Sequence, residues 1–280
     1  SFALALNMAS IFFSTDGTLM FILGTVTDLV YSYSLSTAWE VDSASAITTF
    51  SVTGGEGTPW GLAFSPDGLN MYIVGTTADT VRQYVLGTAW NIATISGGTF
   101  TYSRTTSLIF PREVRFSSDG TKMFVIDSDT DNTRVFTLTT PWRIDTANAG
   151  TNYLHQFEPS TENITLGYGF DFSSDGRYFY ILDGNVDRLF QFEVKTPFDV
   201  FDTFAVEDQT TSTGAATTGG LFIRQDGVKL YISDAIGNAI NEYNLPTPWS
   251  ISSKTLAGTV SRSTGVTGLF FNPNGSQMFT

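Results

Sequence analysis

Few groupings of side chains in this sequence could do chemistry. Arg112, Glu113 and Arg115 crowd two cations and a carboxylate into one short stretch, a pattern suited to an anion or polar ligand. Further along the chain, Asp171 takes a place equivalent to that of Arg115. The same place is filled by Phe12, Ala63, Arg115, Asp171, Phe222 and Phe270 in turn, so the two charged residues break an apolar pattern. An ion pair lining a channel explains them, and so does a ligand site built from Arg112, Glu113, Arg115 and Asp171. Asp127, Asp129 and Asp131 alternate along the chain, the spacing with which a loop wraps a hard cation such as Ca²⁺ in oxygen ligands. That stretch lacks the glycine and the distal glutamate of an EF-hand loop, and a solvated acidic hairpin accounts for it equally. His155 is the sole histidine, and no Gly-x-Ser-x-Gly context surrounds any serine, so no nucleophilic triad is indicated. Asn163 and Asn274 match the glycosylation sequon, which matters only in a eukaryotic secretory setting.

The elements that would position these residues follow from an internal repeat. Phe13-Ser-Thr-Asp-Gly17, Phe64-Ser-Pro-Asp-Gly68, Phe116-Ser-Ser-Asp-Gly120, Phe172-Ser-Ser-Asp-Gly176, Ile223-Arg-Gln-Asp-Gly227 and Phe271-Asn-Pro-Asn-Gly275 recur at about 50 residues. An apolar pair follows each glycine, as in Met71-Tyr72, and Asp-Gly between apolar runs signals a hairpin. A third segment carries Val81, Tyr84 and Leu86, and then comes an aromatic mark at Trp39, Trp90, Trp142, Phe198 and Trp249. A more polar fourth segment closes the unit like an outer edge strand.

Four short strands per unit, without helical periodicity, predict an all-β chain: a β-propeller of four-stranded antiparallel blades, about six in number. The units run over roughly 10–60, 61–112, 113–168, 169–219, 220–267 and 268–280, the last one partial. A single domain over 1–280 is expected, read as a fragment of a longer chain. Residues repeated in every unit are expected to serve folding, so the tryptophans are assigned to packing rather than to sugar stacking. The second-to-third-strand turns carry Asp28, Asp79, Asp131, Asp187 and Asn238, where turn capping suffices.

Composition narrows the functions. Asp and Glu outnumber Lys and Arg by 27 to 14, a net charge of −13, which repels phosphate backbones and anionic headgroups. Nucleic acid is therefore not an expected partner. No apolar run is long enough to cross a bilayer, so no membrane insertion is expected. The chain has no cysteine, which removes disulfides, thiolate metal sites and cysteine nucleophiles together.

The stretch Leu62-Ala-Phe-Ser-Pro-Asp-Gly-Leu-Asn-Met-Tyr-Ile-Val-Gly75, with Asp79-Thr-Val-Arg-Gln-Tyr84 after it, resembles YVTN-type propeller repeats. The Thr-Ala-Trp motif and polar fourth strand depart from that family. They are more similar to the propeller repeats of phage virion and tail proteins and of secreted bacterial surface proteins. The resemblance implies an extracellular or virion-associated location. With no catalytic motif in view, the expectation is a non-enzymatic scaffold or receptor module for a cell-surface glycan or protein. Two alternatives stand beside it: a Ca²⁺-dependent propeller hydrolase or lactonase, and a surface-layer or adhesive-filament subunit contacting other structural subunits.

Overall fold

The structure, a computed structural model, describes residues 8–39, 43–96, 102–105, 109–127, 132–148, 151–154, 167–183, 188–201, 203–209, 218–224, 226–234, 239–261, 270–271 and 278–279. Among them strands dominate and no α-helix occurs. The first sheet is β1 (Met8–Phe13), β2 (Leu19–Gly24), β3 (Leu29–Leu35) and β4 (Ala44–Ser51). The second is β5 (Pro59–Phe64), β6 (Asn70–Gly75), β7 (Thr80–Val85) and β8 (Tyr102–Thr105). The third is β9 (Pro111–Phe116), β10 (Lys122–Asp127), β11 (Asn132–Thr137) and β12 (Thr151–Leu154). The fourth is β13 (Gly167–Phe172), β14 (Tyr178–Asp183), β15 (Arg188–Val194) and β16 (Thr203–Gln209). The fifth is β17 (Thr218–Ile223), β18 (Lys229–Asp234), β19 (Ala239–Asn244) and β20 (Thr255–Ser261), after which β21 (Phe270–Phe271) pairs with β22 (Met278–Phe279). Each four-stranded sheet is a meander in chain order, as the repeat predicts.

The chain divides into two compact units, Ser1–Val125 with Val135–Thr151, and Ile126–Arg134 with Asn152–Met278. In the first unit, Met71 and Ile73 of β6 pack with Phe21, Leu23 and Val30 of the first sheet. The alternate residues Tyr72 and Val74 pack with Val114, Met123, Val125 and Phe136 of the third. Both faces of β6 are therefore buried, which is why it reads as a continuous apolar run instead of an alternating one. In the second unit, Tyr180, Leu182 and Leu189 of the fourth sheet pack in the same way on Leu221, Ile223, Leu230 and Ile232 of the fifth.

The repeated motifs lock each sheet internally. Gly17, Gly68, Gly120, Gly176 and Gly227 take φ of 70–72°, which glycine adopts without a side-chain penalty. A Cβ on any of them would lie 2.0–2.4 Å from the ring of Trp39, Trp90, Trp142, Phe198 or Trp249, respectively. Those aromatic residues themselves hold φ of 59–68°, and each donates its N–H to the carbonyl of its turn glycine at 2.8–3.0 Å. The rings thus serve packing, as expected. The turn aspartates serve the backbone: the Asp16 carboxylate accepts from the Ser14 hydroxyl at 2.6 Å and from the Thr18 N–H at 3.0 Å. Asp67, Asp119 and Asp175 repeat the arrangement.

Candidate functional site

The first strands of the sheets differ most where the repeat is loosest. A register shift interrupts β1 between Met8 and Ser10, β5 between Pro59 and Gly61, and β13 between Gly167 and Gly169. Such a bulge re-aims the residue within it. Leu62 and Phe64 face the first sheet, yet Trp60 reaches the other way, and the Arg112 guanidinium lies 3.9 Å from the centre of its ring. This is cation–π stacking between the opening residues of β5 and β9. Immediately beyond the bulge, Gly61 has no room for a side chain, since a Cβ there would lie 2.8 Å from the Arg112 carbonyl. In the second unit, a Cβ on Gly169 would lie 2.9 Å from Leu221 of the next sheet.

In β9 the position equivalent to Gly61 and Gly169 is Glu113, and two residues on stands Arg115. Arg115 donates to Glu113 at 2.5 Å, and the two side chains keep 34% and 23% of their surface exposed. Only Pro111 and Val114 of β9 are fully buried, whereas β5 is buried at all positions but Trp60. β9 is the terminal strand of its sheet, so one hydrogen-bonding edge faces away from β10. A ligand along that edge meets Arg112 from one face of the strand and Glu113 and Arg115 from the other. The arrangement offers a planar cation held on an aromatic ring, a second cation, and one carboxylate oriented by it.

Asp171 does different work. Its carboxylate accepts from the N–H of Ile223, in the neighbouring fifth sheet, at 3.2 Å. Residues of the same row behave alike: Phe12 packs on Phe64, with ring centres 5.3 Å apart, and Ala63 joins the core against the third sheet. Phe12, Ala63 and Asp171 therefore each meet the adjoining sheet. Residue type alone could not fix this phase.

A second polar row joins sheets by backbone recognition. Tyr72 donates its hydroxyl to the Trp142 carbonyl at 2.5 Å. Gln83 donates to the same carbonyl at 3.0 Å and accepts from the Ile144 N–H at 2.9 Å. Tyr180 and Gln191 grip Trp249 and Ile251 in the same way. Burial raises the pKa of Tyr72 and of Tyr180 well above the ordinary phenol value, and pushes Tyr84 up to about 12, so none of the three is a base at neutral pH.

Glu56 was not singled out in the sequence, yet it is fully buried. Its carboxylate accepts from the N–H groups of Thr58, Thr77 and Ala78 at 3.1, 2.8 and 3.2 Å, capping the β6–β7 hairpin from the preceding connection. It lies where a side chain on Gly75 would be, 2.6 Å from a Cβ placed there. Trp60 was also overlooked; the available signal was that it is the one tryptophan outside the repeated aromatic mark.

The expected Ca²⁺ loop finds no support. Asp127 ends β10 with 1% of its surface exposed, while Asp129 and Asp131 lie outside the described residues. Among the described residues no three His, Cys, Asp or Glu side chains gather as metal ligands. His155, Asp187, Asn238 and both sequons also fall outside the described residues.

No protein-family model matches the chain, and no curated protein does. Solved structures do match. A candidate 6-phosphogluconolactonase from Bacteroides uniformis is 16% identical with a TM-score of 0.67, over 99% of this chain and 78% of that one. A second, from Bacteroides fragilis, is 12% identical with a TM-score of 0.65, over 96% and 75%. The Pseudomonas aeruginosa periplasmic gluconolactonase PpgL is 14% identical with a TM-score of 0.63, over 96% and 77%. The fold is of the propeller type. These neighbours overturn the expectation of a non-enzymatic scaffold or receptor module, because all three are named for lactone hydrolysis. They likewise give no support to a virion or tail setting, and the YVTN-type likeness stays one of motif. Among the described residues no helix is long and apolar enough to cross a membrane.

Proposed function

We propose that the chain is a lactone hydrolase whose site is the edge of β9 that faces away from β10, set in a six-bladed propeller of which β21 and β22 open the last blade. The observation that carries it is β9 itself. Where the equivalent strand is apolar and closely packed, β9 presents Arg112 on Trp60 and the Glu113–Arg115 pair. The names of the fold's neighbours supply the reaction class.

Hydrolysis of a cyclic ester needs a base for water and a donor for the developing oxyanion. Glu113 is the carboxylate available to take the water proton, held in place by Arg115. The water oxygen bonds to the carbonyl carbon, and Arg112 donates to the carbonyl oxygen as it gains charge. The ring C–O bond then breaks, the alkoxide takes a proton back from Glu113, and a hydroxy acid leaves. Trp60 limits the motion of Arg112, so less freedom is lost when the guanidinium engages the oxyanion.

The test is proton release from D-glucono-1,5-lactone and from simple δ-lactones, with spontaneous hydrolysis subtracted. Hydrolysis above background that falls at least about 100-fold in Glu113→Gln, with unchanged thermal unfolding, is expected. No rate above background with any of these lactones would sink the reading.

A further inference from the structure

Resting on that reading, we infer that the Trp60-Gly61 step of β5 is the positioning element of the site, holding Arg112 and Glu113 of β9 at the separation that lactone opening needs. Two contacts meet there. The Arg112 guanidinium lies 3.9 Å from the centre of the Trp60 ring. The backbone of β9 closes over Gly61: a Cβ on that glycine would stand 2.8 Å from the Arg112 carbonyl oxygen and 3.1 Å from the Glu113 Cα. Arg112 is thus fixed at its carbonyl by one residue of β5 and at its guanidinium by the residue before it. The bulge makes both contacts possible. Pro59 pairs with Gly75 and Gly61 with Val74, so Trp60 is the extra residue and its ring is turned off the core row. Trp60 and Arg112 stand at the same place in their repeats, each four residues before the phenylalanine that ends its strand, Phe64 or Phe116.

Gly61 is enclosed on both sides. Toward its own sheet, the same Cβ would stand 2.7 Å from Cγ1 of Val74, which is fully buried. A methyl group would therefore press β9 away from β5 by about half an ångström to reach ordinary contact distance. That movement carries Glu113 with the strand, while the stack on Trp60 holds the guanidinium back, so the distance between the base and the oxyanion donor changes. Gly169 shows crowding of the same kind without the chemistry. A Cβ there would stand 2.9 Å from Cβ of Leu221, a buried member of an apolar core. The two glycines match in packing and differ in what the neighbouring strand carries.

The experiment compares kcat and KM for Gly61→Ala and Gly169→Ala with the wild-type chain, on D-glucono-1,5-lactone and δ-valerolactone, beside the thermal unfolding of each. Gly61→Ala is expected to lower kcat about tenfold and to change KM less than about twofold, since the displaced pair acts in the transition state. Gly169→Ala should lose stability to a similar degree and keep both constants within about twofold. Where Gly61→Ala does not fold, Trp60→Leu, which leaves the glycine in place and removes only the ring beneath Arg112, should show a fall in kcat at constant KM. Unchanged kinetics in Gly61→Ala or Trp60→Leu, a rise in KM at unchanged kcat in either, or equal losses of kcat in the two glycine variants overturn the inference and leave the hydrolase reading standing. If the wild-type chain opens neither lactone, the hydrolase reading fails and the inference falls with it.

Discussion

β5 and β9 occupy the same slot in neighbouring repeats and differ in what they carry. β5 runs Gly61-Leu-Ala-Phe64, buried throughout, with the next strand pressed so close to Gly61 that a methyl group would not fit. β9 runs Glu113-Val-Arg-Phe116 and leaves its charged side chains partly exposed. The difference shows where this architecture tolerates change. β9 packs against Gly61 along Arg112 and Glu113, yet Glu113 and Arg115 keep part of their surface exposed, so a strand in contact with its neighbour still carries charged side chains.

Substitutions should separate the two uses. The largest effect belongs to the turn glycines: Gly68→Ala should cost about 3 kcal/mol or more in chemical denaturation, because φ is +70° and the Trp90 ring occupies the space of the new methyl. The same alanine in place of Glu113 should leave stability within about 1 kcal/mol. If Gly68→Ala proves as mild as Glu113→Ala, the distinction between structural and partly exposed positions fails. Next comes Gln83→Leu, which strips the buried Ile144 N–H of its acceptor and should cost about 2 kcal/mol by the same measurement. A loss under about 0.5 kcal/mol would show that the grip on the Trp142 turn is incidental.

The smallest effect is a pH dependence carried by three of the turns. Hydrogen bonds from Ser14, Ser117 and Arg224, and then from the N–H groups of Thr18, Thr121 and Val228, hold Asp16, Asp119 and Asp226 below the usual carboxylate range. A depressed folded pKa contributes stability above the unfolded value of roughly 3.9, and that stability is lost as pH falls through the folded pKa. The three carboxylates are largely exposed, so each share is small. The denaturation midpoint should decline below about pH 4, and Asp119→Asn should lessen the decline. An unchanged slope in that variant would remove the turns as its source.

The sheets were legible because the Asp-Gly turn and its aromatic mark recur at one spacing, and the structure shows them in direct contact, Trp90 on Gly68. The contact of Asp171 with the next sheet was not legible. Whether Asp171 faces an axis or the next sheet depends on a bulge upstream, between Gly167 and Gly169, which no residue type announces. Glu56 was invisible for another reason: its partners are backbone N–H groups of Thr77 and Ala78, which carry no side-chain signature. Arg112, Glu113 and Arg115 stood out as exceptions, but lactone opening needs only a carboxylate and cations, with no motif of its own, so the residues alone leave an enzyme as an alternative to a binding module.

The aromatic lock closes within one repeat, Trp90 upon Gly68, whereas the tyrosine and glutamine grip reaches from one repeat to the next, Tyr72 to Trp142. A gene segment encoding one unit therefore carries its own fastening wherever duplication sets it down. The grip is what each new junction has to acquire afterwards, and its uneven record is still readable: Phe21 and Ser32 stand in the first sheet where Tyr72 and Gln83 stand in the second.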